Sequence, residues 1–255
     1  MQLQGDTMQT RSVLSNAARA VGVALTLSLG ACGGGDSGPA TSASGLYRGS
    51  GGAGRAFEVL VLDSGRYYAI YGLTSASASP VAGVMVGDGA TSGTAFNSDN
   101  LHDFSIESHT LATATLASTV TPATSINATL TYSGGQSATF NAAFDAGFNQ
   151  APSVSMLAGT YVGEIAGLSK TEASVFTLDG TGVMAGSTPA GCSYVAIVLP
   201  HAHGNVYDLS ATFRTGCVED GKTFKGHAFV SGGVFYAVVV SADLSSSVVF
   251  AALKS

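Results

Sequence analysis

Through most of the chain, apolar residues alternate with Ser and Thr in short runs, and each run stops at a cluster of Gly, Asp, Asn or Ser. A period of two puts alternate side chains on opposite faces of a strand, so one face is buried and the other is solvated. From residue 153 onward the pattern predicts strands near Gly159–Ile165, Ala173–Leu178, Gly182–Ser187, Cys192–Leu199, Val206–Phe213, Thr223–Val230, Val234–Ser241 and Ser246–Ala251. The connections Ser231-Gly232-Gly233 and Asp243-Leu244-Ser245-Ser246 are of hairpin size, so neighbouring strands should pair antiparallel. About eight sequential strands in about 97 residues predict an up-and-down sheet curled into a small barrel or sandwich, which removes exposed edges.

The same text occurs twice. Gly45-Leu-Tyr47-Arg-Gly49 returns as Gly159-Thr-Tyr161-Val-Gly163, and each is followed by an alternating run that ends in Leu-Asp, at Leu62-Asp63 and Leu178-Asp179. The offset drifts from 114 to 116, too long for a solenoid repeat. It predicts two copies of one domain joined near Ala151-Pro152-Ser153. The first copy ends with strands at Ile126–Tyr132 and Ser137–Phe144 around Gly134-Gly135. The expected fold class is all-β: two consecutive small antiparallel meander barrel or sandwich domains, at 45–152 and 153–255, behind a signal peptide and a flexible tether.

The N-terminal segment has a different pattern. Arg11 and Arg19 lie in a polar stretch with no acid after Asp6, and an apolar run follows from Val21 to Leu29. That run is well short of the ~20 residues of a membrane-spanning helix. The layout is that of an export signal covering residues 1–31, and Met8 is an alternative start that would remove Asp6. Leu29-Gly30-Ala31-Cys32 resembles the lipobox of bacterial lipoproteins. That resemblance implies cleavage before Cys32, acylation of its thiol with palmitate-like chains, and a membrane anchor. Gly33, where an Asp would mark inner-membrane retention, implies the outer membrane. Two or three acyl chains make release slow, because each buried methylene contributes ~0.8 kcal/mol. Residues 32–44 then consist almost wholly of Gly, Ser, Ala and Thr, and are expected to act as a tether.

Composition narrows the function classes. Charged residues make up only 10% of the chain and hydrophobic ones 45%, which suits β-domains with small packed side chains. Net charge is −6, and loss of the leader takes it to about −7. An acidic surface without a basic cluster disfavours nucleic acid as a partner. With Cys32 committed to lipid, Cys192 and Cys217 form an even pair in an oxidising compartment, and a structural disulfide is expected.

The two-copy plan resembles small two-module lipoproteins of proteobacteria. The residues that carry the likeness are the Gly-x-Tyr-x-Gly openings, the Leu-Asp turns, Gly191-Cys192-Ser193-Tyr194 and Asn205-Val206-Tyr207-Asp208. The layout is also similar to barrel modules of surface lipoproteins that bind host proteins, in architecture alone.

Several motifs match catalytic patterns only by letter. Gly35-Asp36-Ser37-Gly38-Pro39 resembles the nucleophile motif of trypsin-like proteases but lies in the tether, away from any folded His and Asp. Gly216-Cys217-Val218-Glu219-Asp220-Gly221-Lys222-Thr223 fits a phosphate loop, yet an alternating strand pattern follows instead of a helix, so nucleotide binding is not expected. Gly49-Ser50-Gly51-Gly52-Ala53-Gly54 leads into a strand in the same way. His201-Ala202-His203 offers two imidazoles that would share a face on a strand, with Asp208 or His227 to complete a shell for Zn or Cu. Pro200 and Gly204-Asn205 favour a solvated turn instead. His102, Asp103, Glu107 and His109 form a second polar group that reads most simply as a strand edge, and Asp63 and Asp179 read as turn caps.

No cofactor and no enzyme activity is assigned. The expectation is a lipid-anchored envelope protein with a non-catalytic binding or structural role toward an envelope or surface partner. Trp is absent, which disfavours glycan adhesion. The alternative is a small-ligand carrier whose cavity would be lined by Phe57, Tyr67, Phe176 and Phe235.

Overall fold

The structure, a computed structural model, describes residues 42–73 and 81–255. The leader, Cys32 and most of the tether lie outside the described residues. Two closed barrels follow one another in sequence. In the first, β1 (Gly45–Gly51), β2 (Arg55–Val61), β3 (Arg66–Leu73) and β4 (Val81–Asp88) run in order. They are followed by β5 (Ala90–Ser92), β6 (Ala95–Ser105), β7 (Thr110–Thr121), β8 (Ser125–Tyr132) and β9 (Ser137–Phe144). β1 pairs with β9, and β4 pairs with β6 from Gly83↔Ser105 to Val86↔His102, so eight strands close the barrel and short β5 hangs on β6. A 3-10 turn (Ala146–Asn149) and a one-turn helix, α1 (Val154–Leu157), lead to the second barrel. Its strands are β10 (Gly159–Gly167), β11 (Lys170–Leu178), β12 (Val183–Ser187) and β13 (Ser193–Pro200), then β14 (Val206–Phe213), β15 (Thr223–Ser231), β16 (Val234–Val240) and β17 (Ser247–Lys254). All neighbours pair antiparallel, and β10 closes on β17.

The repeat in the text is a repeat in space. The Tyr47 hydroxyl donates to the Ala43 carbonyl at 2.9 Å, and the Tyr161 hydroxyl donates to the Leu157 carbonyl at 2.6 Å. Each tyrosine thus fastens the chain four residues upstream to the floor of its own barrel. Ala43, read from the sequence as tether, is buried for this reason. Gly49 and Gly163 occupy equivalent places on the closing seams, where a Cβ would stand 1.9 Å from the Asn141 carbonyl oxygen and 2.1 Å from that of Ala251. Only glycine lets those strands close at this spacing. Both Leu-Asp pairs turn the chain between the second and third strands of their barrels.

Alternation decides which side chains point inward. Along β7 the buried residues are Ala114, Leu116, Ser118 and Val120, with threonines and alanines outside. Phe57, Tyr67 and Phe140 help to fill the first barrel; Tyr161, Phe176, Phe235 and Phe250 do so in the second. Some strands break the alternation. β4 is buried from Val81 to Gly87, because Ala82 and Met85 join the barrel core while Val81, Val84 and Val86 join a third cluster between the barrels. Leu60, Ile70 and Phe104 contribute to this seam from the first barrel, and Val206, Phe229, Val238 and Val249 from the second. Each such side chain contributes roughly 1.5–3 kcal/mol when fully buried. The two barrels therefore form one compact unit within Ser37–Ser255.

Cys192, just before β13, is bonded to Cys217 in the loop between β14 and β15. The phosphate-loop match lies in that same loop and runs into strand β15, and the glycine run after Gly49 is a 3-10 turn leading into β2.

Candidate functional site

The seam has a polar border where chemistry-bearing residues of both barrels meet. On β14, Tyr207 and Leu209 point into the second barrel, so Val206 and Asp208 point outward. On β15, Ala228 points inward, and His227 and Phe229 point outward. The register sets Asp208 directly opposite His227. Cross-strand partners on one face are neighbours, and His227 Nε2 lies 3.3 Å from Asp208 Oδ1. β13 ends at Pro200, and the bend that follows folds His201 back so that its Nδ1 is 2.7 Å from the same oxygen.

The first barrel supplies the other side. The Tyr68 hydroxyl lies 2.9 Å from His227 Nδ1. Asp63, in the β2–β3 turn, has Oδ1 3.4 Å from His201 Nε2 and Oδ2 3.4 Å from His203 Nε2. Asp63 also accepts the Ser64 amide at 3.0 Å, so it serves its own turn and the seam together. Burial pushes the Asp63 carboxyl up, but the His201 hydrogen bond and the charges of both histidines outweigh this and hold it below the usual range. Burial pushes His227 down to about 4, against the pull of the Asp208 carboxylate. Its ring is neutral near pH 7, with the proton on Nδ1 if the Tyr68 oxygen accepts.

The sequence pair His201 and His203 is thus only half of the arrangement. Both residues lie in a bend rather than on a strand, and the Nε2 atoms of both face the Asp63 carboxylate. His203 is 67% exposed on its side chain and turns to Asp63. The converging set is His201, Asp208 and His227, the last two being the residues named from the sequence as possible completions. Tyr68 was not foreseen. The signal for it lies in Tyr67-Tyr68, since two adjacent aromatics on one strand must face opposite sides.

The second polar group does not assemble. Asp103 points into the first barrel and accepts the Tyr71 and Tyr132 hydroxyls at 2.8 and 2.7 Å. Burial raises the Asp103 carboxyl. Glu107 pairs with Arg55, and His109 Nδ1 lies 2.6 Å from the Leu168 carbonyl across the seam. Asp179 caps its turn, accepting the Thr181 and Val183 amides at 2.8 and 3.0 Å.

Several spaces are found among the described residues, including an open one of about 310 Å³ at the end of the first barrel past Ala43, Asp63 and Phe96. Inside the first barrel the void is about 10 Å³, bordered by Tyr67, Met85, Phe96 and Phe140. At one mouth of the second barrel a pocket of about 70 Å³ lies beside the disulfide, against Ile165, Phe213 and Val248. Small-ligand sites are typically ~300–1,000 Å³, so neither is a ligand chamber. An open cleft of about 590 Å³ runs along the seam past Arg66, Tyr68, Lys225 and His227.

The outer face of the second barrel also carries exposed apolar residues in register. Val162 stands opposite Val175 on one side and Leu253 on the other, and Val183 stands opposite Ile197. Leu199 continues that face and is 52% exposed. No protein-family model, curated protein or solved structure matches the chain.

Proposed function

We propose that this protein is lipid-anchored through Cys32 in the outer membrane and acts there as a non-catalytic binding or structural module toward an envelope or surface partner. The observation that carries the reading is the exposed apolar row Leu253–Val162–Val175 on a barrel whose interior is full; the exposed pair Val183–Ile197 lies four residues along β12 from Ser187, which stands opposite Val175. Apolar side chains in contiguous exposed rows mark surfaces that meet other macromolecules. Full interiors argue against the carrier alternative, because Phe57, Tyr67, Phe176 and Phe235 occupy the space a ligand would need. Low surface charge suits a short-range apolar contact more than electrostatic steering.

Two measurements test this. Cys32→Ser should shift the protein from the membrane to the soluble envelope fraction and abolish acyl labelling; unchanged fractionation contradicts the anchor. A photo-reactive residue at Val162 or Ile197 should yield one discrete adduct in intact cells, while the same probe at Thr115, on the first barrel, should not. Equal or absent adducts at all three positions contradict the binding face.

A further inference from the structure

Three donor atoms converge on the outer face of β13–β15. His201 Nδ1 is 2.7 Å and His227 Nε2 is 3.3 Å from Asp208 Oδ1, and one ligand atom from each residue lies within 4.8 Å of the others. Around a tetrahedral zinc ion with N and O ligands at ~2.0–2.2 Å, donors stand roughly 3.3–3.5 Å apart. His227 and Asp208 already have that spacing. His201 Nδ1, at 2.7 Å from the same oxygen, stands closer than a shared ion allows and has to withdraw from it, and it sits in a bend rather than in a strand.

The ring atoms turned away from this point are the second, independent observation. The far nitrogen of a metal-bound imidazole is almost always held by a carboxylate, a carbonyl or water, which fixes its tautomer and direction. Here His201 Nε2 faces the Asp63 carboxylate at 3.4 Å, and His227 Nδ1 faces the Tyr68 hydroxyl at 2.9 Å. Both histidines are thus oriented from behind, and both orienting groups come from the first barrel.

We propose that His201, Asp208 and His227 bind one divalent first-row transition ion of the zinc class, with Asp63 and Tyr68 as outer-sphere partners, so that the ion braces the two barrels. Two imidazoles and one carboxylate suit such an ion, whereas Mg²⁺ and Ca²⁺ prefer oxygen shells. Three protein donors leave one position for water, and the half-exposed Asp208 carboxylate keeps that side open to solvent. His203 lies outside the set, so the site is not a His-x-His chelate. The proposal requires neither the lipid on Cys32 nor a macromolecular partner, and it can stand or fall without them.

The test strips the protein with a chelator and titrates it with Zn²⁺, and separately with Co²⁺, whose visible bands report coordination. One ion per chain should bind, with intense low-coordinate Co²⁺ bands and a raised unfolding midpoint. His201→Gln and Asp208→Asn should each weaken binding at least ~100-fold. Tyr68→Phe and Asp63→Asn should weaken it ~10–100-fold at unchanged stoichiometry, as expected for outer-sphere partners. His203→Ala should bind like the parent. Asp208 lies at the surface with a 52% exposed side chain, so Asp208→Asn reports on binding even if a histidine variant fails to fold. Failure to retain an ion at micromolar concentration overturns the site. So does undiminished binding by His201→Gln and Asp208→Asn. Loss in His203→Ala equal to that in His201→Gln would move the ion to the loop and overturn this ligand set, and unchanged binding in both Tyr68→Phe and Asp63→Asn would remove the brace.

Discussion

The Tyr68 hydroxyl of the first barrel lies 2.9 Å from Nδ1 of His227 in the second. This contact edges a seam in which Leu60, Ile70 and Val84 of one barrel meet Phe229, Val238 and Val249 of the other. A shared core means that neither barrel keeps its outer face dry without its neighbour. The two should therefore unfold as one cooperative unit.

Phe229→Ala tests the seam. The ring is 1% exposed, and its removal leaves a cavity that should lower stability by about 3–5 kcal/mol. Hydrogen exchange should accelerate in β3 and β4 of the first barrel as well as in β15. Faster exchange confined to the second barrel would show that the seam does not couple them.

Barrel closure depends on two glycines. Gly163→Val drives a side chain into the Ala251 carbonyl and should lower stability by about 3 kcal/mol or more, as should Gly49→Val against Asn141. Gly52→Ala, with nothing within 4 Å of the added carbon, should stay within ~0.5 kcal/mol of the parent. Thermal or urea unfolding of the three variants settles the comparison.

Asp103 gives a pH signature. Burial raises its carboxyl in the folded state, so the folded chain holds the proton more tightly than the unfolded one does. Its favourable contribution is complete below the unfolded value near 3.8 and is lost as pH rises through the folded value. The parent should therefore lose stability relative to Asp103→Asn as pH rises from about 3.5 toward neutrality. Asp103→Ala strands the Tyr71 and Tyr132 hydroxyls and should cost about 2–3 kcal/mol. A parent-to-Asn difference that does not change with pH would mean that burial does not perturb this carboxyl.

The Cys192–Cys217 bridge closes a loop with a sequence separation of 25. The chain-entropy estimate for such a loop is about 3–3.5 kcal/mol. Reduction, or the double change to Ala, should lower the unfolding midpoint accordingly. A shift near zero would mean that the loop between β14 and β15 is already ordered in the unfolded chain.

Much of the fold could be read from the text. Eight strands of the second barrel fall where alternation and turn residues put them, and the Gly-x-Tyr-x-Gly echo marks the same tyrosine anchor in each copy. The seam was not foreseen, although Val81–Val86 and Val234–Val240 are continuous apolar runs. Such runs belong to strands buried on both faces, and this implies a second layer against the barrel wall. Alternation reports which side of a strand is inside, but not which outer faces meet. For that reason His201, Asp208 and His227 could be named from the chain, but their convergence and their tie to Asp63 and Tyr68 could not.

The central proposal is that the barrels recognise a partner from outside rather than holding a ligand within. Native mass spectrometry of the protein taken from its own envelope, after release of the lipid anchor, tests this directly. The expected result is a chain with its disulfide closed and no organic molecule retained. A stoichiometric organic adduct that leaves on denaturation would contradict it and restore the carrier reading.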